Sequence, residues 1–141
     1  MSSDPALTTW LDILDATQLA VAPLADTIKV AWFDDTVTPT KSTDTAFNVA
    51  PWNAGELAGG SYAAGGPTLT SKTLTIVSNR IVFAASMPTI TGLTDTVRYA
   101  LMWDDTVAGD RILTWHDLGS LLTLTGEDLV VTAPDGWWRI T

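Results

Sequence analysis

Two hydrophobic periodicities divide the chain. Near the start, Leu7, Trp10, Leu11 and Leu14 fall at i, i+3, i+4 and i+7, the single stripe of an amphipathic helix. Ser3 or Asp4 can cap it, and Pro5 suits the first helical position, where its missing N–H leaves nothing unpaired. Asp12 and Asp15 lie off the stripe and Pro23 stops any continuation, so a helix is predicted over 4–20. Burying the four apolar side chains would contribute about 1.5–3 kcal/mol each, enough to dock the helix on the body. The alternative is an arm that packs on a neighbouring subunit.

From Asp26 the period changes to two. Ile28, Val30 and Trp32 alternate with Thr27, Lys29 and Ala31, which predicts a strand with one buried face. Residues 34–61 hold Pro39, Pro51, Gly55, Gly59 and Gly60 and read as a long irregular loop, with Phe47, Val49 and Trp52 packing it down. Beyond it, Thr68–Thr75 and Arg80–Ala84 form a hairpin around Ser78-Asn79. Val97, Tyr99, Leu101 and Trp103 give the cleanest alternation, leading through Ala108-Gly109-Asp110 into Ile112–Asp117. A third hairpin is predicted from Leu122–Thr125 and Leu129–Ala133 around Gly126-Glu127-Asp128, and Trp137–Ile140 is a short last strand. The expectation is one domain over 1–141: a helix over 4–20, then an antiparallel body over 26–141 of seven to nine strands. Hairpin-linked, two-faced strands of this kind bury themselves in a β-sandwich or a partly closed barrel.

Composition strengthens the β reading, since the chain is rich in Thr, Val, Ile and Trp. At 141 residues it can bury a core without disulfides, so the absence of Cys says little about compartment. No cleavable leader and no apolar run near membrane length is visible, so membrane association is not expected. Sixteen acidic against seven basic residues leave a net charge of −9, and the cations are scattered. Such a chain repels nucleic acid, whose binding needs clustered Lys and Arg.

The chemistry-bearing residues point away from catalysis. His116 is the only His and there is no Cys, so a His/Cys zinc site cannot be assembled and a Ser-based triad would have to use His116 as its base. His116 reads as an exposed strand residue facing away from Trp115. Asp34-Asp35 and Asp104-Asp105 each follow an aromatic strand end and would make a glycosidase pair only if they flanked one bond. Their simpler reading is turn initiation, with each Asp bonding backbone N–H groups. The acids lack calcium-loop spacing, and Gly55, Gly59-Gly60 and Gly65-Gly66 match no phosphate-binding pattern. No cofactor or metal is expected.

Of the seven Trp residues, Trp32 and Trp103 fall at core phase. Trp10 does too, and becomes a contact residue if the helix swaps onto a neighbour. Trp52 in the long loop and one of Trp137 and Trp138 should stand partly outside, where Trp serves interfaces well. The candidate contact residues are therefore Trp52, Trp137, Trp138, Phe47 and Trp10.

Three segments, Asp26–Phe33 (DTIKVAWF), Tyr62–Leu69 (YAAGGPTL) and Val97–Asp105 (VRYALMWDD), together with the order in which they occur, resemble a group of small virion proteins of tailed bacteriophages. The resemblance runs from Asp26 onward. It departs at Trp137-Trp138, where smaller residues are expected, and in the general enrichment in Trp. It implies a non-enzymatic virion component, made in the host cytoplasm and present in many copies. With a charge that packaged DNA would repel, the outer head surface is the expected position. There the chain would be a capsid decoration or cement protein in contact with the major capsid protein, and would assemble as a symmetric homo-oligomer. A tail or fibre-associated virion protein and a carbohydrate-binding β module are the alternatives.

Overall fold

The structure, a computed structural model, describes residues 22–40 and 42–140. The helix predicted over 4–20, with Trp10, lies outside the described residues. Among those described, the protein is mainly β and contains no helix. Six strands are present where seven to nine are expected: β1 Ile28–Phe33, β2 Thr70–Val77, β3 Arg80–Ser86, β4 Ile90–Asp104, β5 Ile112–Leu129 and β6 Trp138–Ile140. They form two three-stranded antiparallel sheets, β1-β4-β5 and β2-β3-β6, neither of which closes into a barrel.

Local chemistry sets the first hairpin. Ser78 and Asn79 both take positive φ, +49° and +60°, which is what a two-residue turn matched to strand twist demands. Val77 therefore faces Arg80, and β2 runs antiparallel to β3. The β4–β5 connection likewise turns at Gly109 and Asp110, both at positive φ. The third hairpin is not formed. Residues 112–129 make one long strand that pairs with β4 from Trp103↔Ile112 to Ile90↔Leu129. Gly126 sits at positive φ inside that strand, at a shift in register, so it marks a bulge rather than a turn.

The expectation of one buried face on β1 is also corrected. Ile28, Val30 and Trp32 enter one core with Phe83 of the second sheet and with Leu93, Val97, Leu124 and Leu129. Ala31 and Phe33 enter another on the opposite face, with Tyr99, Leu101 and Trp103 of β4. That second core is roofed by the long connection through Val37, Phe47 and Trp52. Trp52 is only 1% exposed. Its ring lies edge-on to Phe33 at 5.1 Å and to Tyr99 at 6.3 Å, and its Nε1–H donates to Asp44 at 2.9 Å. Phe47 stacks on Trp103 at 4.3 Å. Residues 34–61 thus lack a strand but supply a packed layer.

The same connection, continued through Leu69, closes the outer edge of β1. Asp34 N–H donates to the Gly55 carbonyl, Leu57 N–H to Trp32, Val30 N–H to Pro67, and Leu69 N–H to Ile28. The Tyr62 hydroxyl accepts from Trp32 N–H at 3.2 Å and donates to Glu56 at 2.6 Å. Burial and the neighbouring Glu56 carboxylate push the Tyr62 phenol well above its ordinary pKa, so it remains a donor. Gly66, at φ +82°, lies so close to β1 that a Cβ there would run into the Val30 carbonyl.

Because Trp52 fills the roof of the second core, Trp52→Ala should lower unfolding stability by about 3–5 kcal/mol. Urea titration followed by circular dichroism measures this. A loss under 1 kcal/mol would mean that the roof does not carry the core.

Candidate interaction surface

The candidate contact residues do not form one patch. Trp52 and Phe47 are buried within the chain, which corrects the expectation that Trp52 stands partly outside. Trp137 is buried and donates from Nε1 to the Ala85 carbonyl at 3.0 Å. Trp138 is half-buried and stacks on Phe83 at 5.4 Å, so both rings of the terminal pair pack on the same core. Trp10 lies outside the described residues.

His116 is half-buried rather than exposed. It does face away from Trp115: Trp115 packs against the roofed core, while the His116 ring approaches Trp137 at 6.2 Å. Burial pulls its pKa down, opposed in part by a hydrogen bond to the Trp137 backbone. A shallow cleft of ≈ 370 Å³ opens here, lined by His116, Asp135, Gly136, Trp137 and Trp138. His116 Nε2 and Trp138 Nε1 are enclosed in its wall and lack hydrogen-bond partners. They do not open toward a ligand, which leaves the Asp135 carboxylate as the charged group on the lining.

The two acid pairs lie at opposite ends of β1. Asp104 is opposite Ile28, whereas Asp34 follows Phe33. A rise near 3.3 Å per residue separates them by about 20 Å, too far to flank one glycosidic bond. Each begins a turn, as its simpler reading holds. Asp34 Oδ1 accepts from Thr36 N–H at 2.9 Å, and Asp104 Oδ1 from Thr106 N–H at 2.8 Å and Val107 N–H at 3.2 Å. Asp105 instead pairs with Lys29 at 2.8 Å. Among the described residues, no three His, Asp or Glu side chains are grouped to hold a metal ion.

Asp104 has a second role. It is fully buried, and its Oδ2 lacks a hydrogen-bond donor. Burial raises its pKa first, its two backbone donors lower it, and the Asp26 carboxyl against it raises it again.

The surface that sequence reading missed is the edge of β5, beside which no strand lies among the described residues. β1 pairs only with Tyr99–Asp104, so the distal half of β4 has β5 as its one strand neighbour. Beyond Val97↔Leu122 the ladder resumes at Tyr99↔Asp117, leaving Leu118–Leu121 as a wide bulge. Gly119, at φ +85°, turns it, and Asp117 holds it by accepting from Gly119 N–H at 2.8 Å and pairing with Arg98 at 3.1 Å. Leu118, Leu121 and Leu122 are 45%, 41% and 43% exposed. Residues 118–126 (LGSLLTLTG) carry no charge, between Asp117 on one side and Glu127-Asp128 on the other. The unalternating L-G-S-L-L run was the available signal; reading Leu122–Thr125 as one arm of a hairpin assigned that edge a partner it does not have.

The buried acid makes a pH prediction. A carboxyl with a raised folded pKa binds its proton more tightly when folded. Its contribution therefore favours the fold below the ordinary Asp value of 3.8 and is lost as pH rises through the folded value. His116 acts oppositely, favouring the fold above 6.5 and opposing it as pH falls below. Asp104→Asn keeps the Oδ1 acceptor and gives Asp26 a donor, so it should stabilise the protein by about 1 kcal/mol at pH 7.5. That gain should shrink toward zero by pH 4. Urea unfolding of both forms across this range measures it, and a gain independent of pH would exclude a raised Asp104 pKa as its source.

Comparison with known protein families, curated proteins and solved structures finds no match to this chain.

Proposed function

We propose that this chain is a non-enzymatic structural protein of a tailed-bacteriophage particle, a decoration or cement protein on the outer surface of the head. The observation that carries the reading is the open edge of β5: exposed leucines and an uncharged stretch on a chain of net charge −9. A strand edge left open is a ready site for pairing with another chain, and proteins that stay monomeric usually block it with charge, proline or a covering segment. Here the acids stop at Asp117 and resume at Glu127. The acidity supports a place away from packaged DNA, and the three segments resembling small virion proteins support the particle role. We read the two sheets, which share the core around Phe83, as a β-sandwich. On this reading the major capsid protein is the partner, met at the bulge and edge of β5.

Purified heads lacking the protein provide the test. Added chain should bind at a fixed stoichiometry and raise the temperature at which heads release DNA. Leu121→Lys with Leu122→Lys puts charge on the edge, and this variant should fold normally but bind at least about tenfold more weakly. Heads that take up none of the chain, or whose heat release is unchanged by it, would refute the reading.

A further inference from the structure

We infer that the β5 edge accepts an extended, apolar segment of a different protein, flanked by basic side chains, and not a second copy of this chain. The inference rests on the reading of β5 as the attachment edge, and adds what kind of partner fits it.

The geometry limits what can bind. Regular pairing with β4 runs from Leu122 to Thr125, bounded by the bulge at Leu118–Leu121 and by Gly126. The complement is one short extended segment hydrogen-bonded along this stretch, with an apolar side chain against Leu118 and Leu121. Bulges at both ends twist a strand and keep long, flat edges from forming. This edge therefore suits a short added strand rather than continuous sheet growth.

Charge then selects the partner. Two copies related by a two-fold axis would pair their edges antiparallel, bringing the Asp117 end of each against the Glu127-Asp128 end of the other. Arg98 neutralises Asp117 in part, through bonds of 3.1 and 3.2 Å. Glu127 is exposed and, among the described residues, has no ion-pair partner, while Asp128 accepts only from Gly92 N–H at 2.9 Å. Like charges would therefore meet at both ends of a self-pair, on two chains that each carry −9. A strand with Lys or Arg on either side of its apolar residues meets the same acids favourably, and a heterologous partner is the one that can supply it.

The probe is a fluorescein-labelled peptide of alternating valine and threonine with two lysines at each end, compared with its glutamate-ended counterpart. Titrated by anisotropy into the full chain, the lysine peptide should bind saturably, about tenfold or more tighter than the glutamate peptide, and more weakly in high salt. Glu127→Lys should reduce that preference several-fold, and Leu121→Lys with Leu122→Lys should abolish binding. Hydrogen exchange should show the outward-pointing amides of 122–125, those not bonded to β4, open in the free chain and protected by the lysine peptide. Three results would overturn the inference: equal or absent binding of the two peptides, self-association of the chain that Leu121→Lys removes, or protection of those amides in the free monomer. Heads that bind the double-lysine variant undiminished, while both peptides fail, would leave the particle role standing without this edge. Peptides that bind as expected, with heads taking up no chain, would leave the edge standing without the particle role.

Discussion

β1 needs cover on both faces and along one edge, and the rest of the molecule is arranged around supplying it. A strand with one wet face alternates with polar residues, but from Ile28 to Phe33 only Lys29 interrupts the apolar run. The second sheet covers one face through Phe83 and the residues around it. The other face has no sheet to meet. It is covered by residues 34–61, which bring Val37, Phe47 and Trp52 down onto Phe33, Tyr99 and Trp103. The abundance of Gly and Pro in this connection follows from that task. The chain must fold back over the edge of β1 twice, at Gly55–Leu57 and at Pro67–Leu69, and Gly66 passes where no side chain fits.

Covering a face with irregular chain has a polar consequence. Each large ring brought under the roof carries an N–H or O–H that burial would leave unpaired. Trp52 gives its proton to Asp44, Trp103 gives its own to the Gly65 carbonyl at 2.9 Å, and Tyr62 bridges Trp32 N–H and Glu56. These bonds tie the connection to itself and to β1, so the connection is part of the core and not a free binding loop. In the other core, Trp32 Nε1 is enclosed without a partner. At the far end of β1, Asp104 and Asp26 pack together under the turn that Asp104 itself starts. That corner is held by backbone donors to one oxygen and weakened by the other.

What sequence could and could not disclose follows from the range of the interactions. The Ser78-Asn79 hairpin was legible because its cause lies in two adjacent residues with tolerable left-handed geometry. The acid pairs were legible as turn starters for the same reason. Gly126 was misread because a glycine in a hairpin loop and a glycine at a bulge give the same local signal. Only the pairing of Leu93 with Glu127 and Thr94 with Thr125, some thirty residues distant, tells them apart. Trp52 was misplaced because loop position suggests exposure, while its partners Phe33 and Tyr99 lie far from it in sequence. The two faces of β1 were half legible: its alternation showed a strand, but a loop serving as a layer leaves no periodicity to read.

The open edge of β5 comes from the same constraint on β1. A six-residue strand reaches only the last six positions of β4, so beyond Tyr99 the β4–β5 ribbon continues without it. The inner half of the ribbon is held between two cores. The outer half keeps one buried face, through Leu93, Val97 and Leu124, and its β4 side is met by the connection at Ala58 and Ser61. Its β5 side is met by nothing comparable among the described residues. The Leu118–Leu121 bulge stands where the doubly covered half gives way to the singly covered one, with Arg98 and Asp117 paired beside it. A bulge there lets β5 change its twist as its surroundings change, and it turns leucines outward that a regular strand would have alternated inward. The length of β1 thus fixes where the ribbon leaves the core and where its leucines meet solvent.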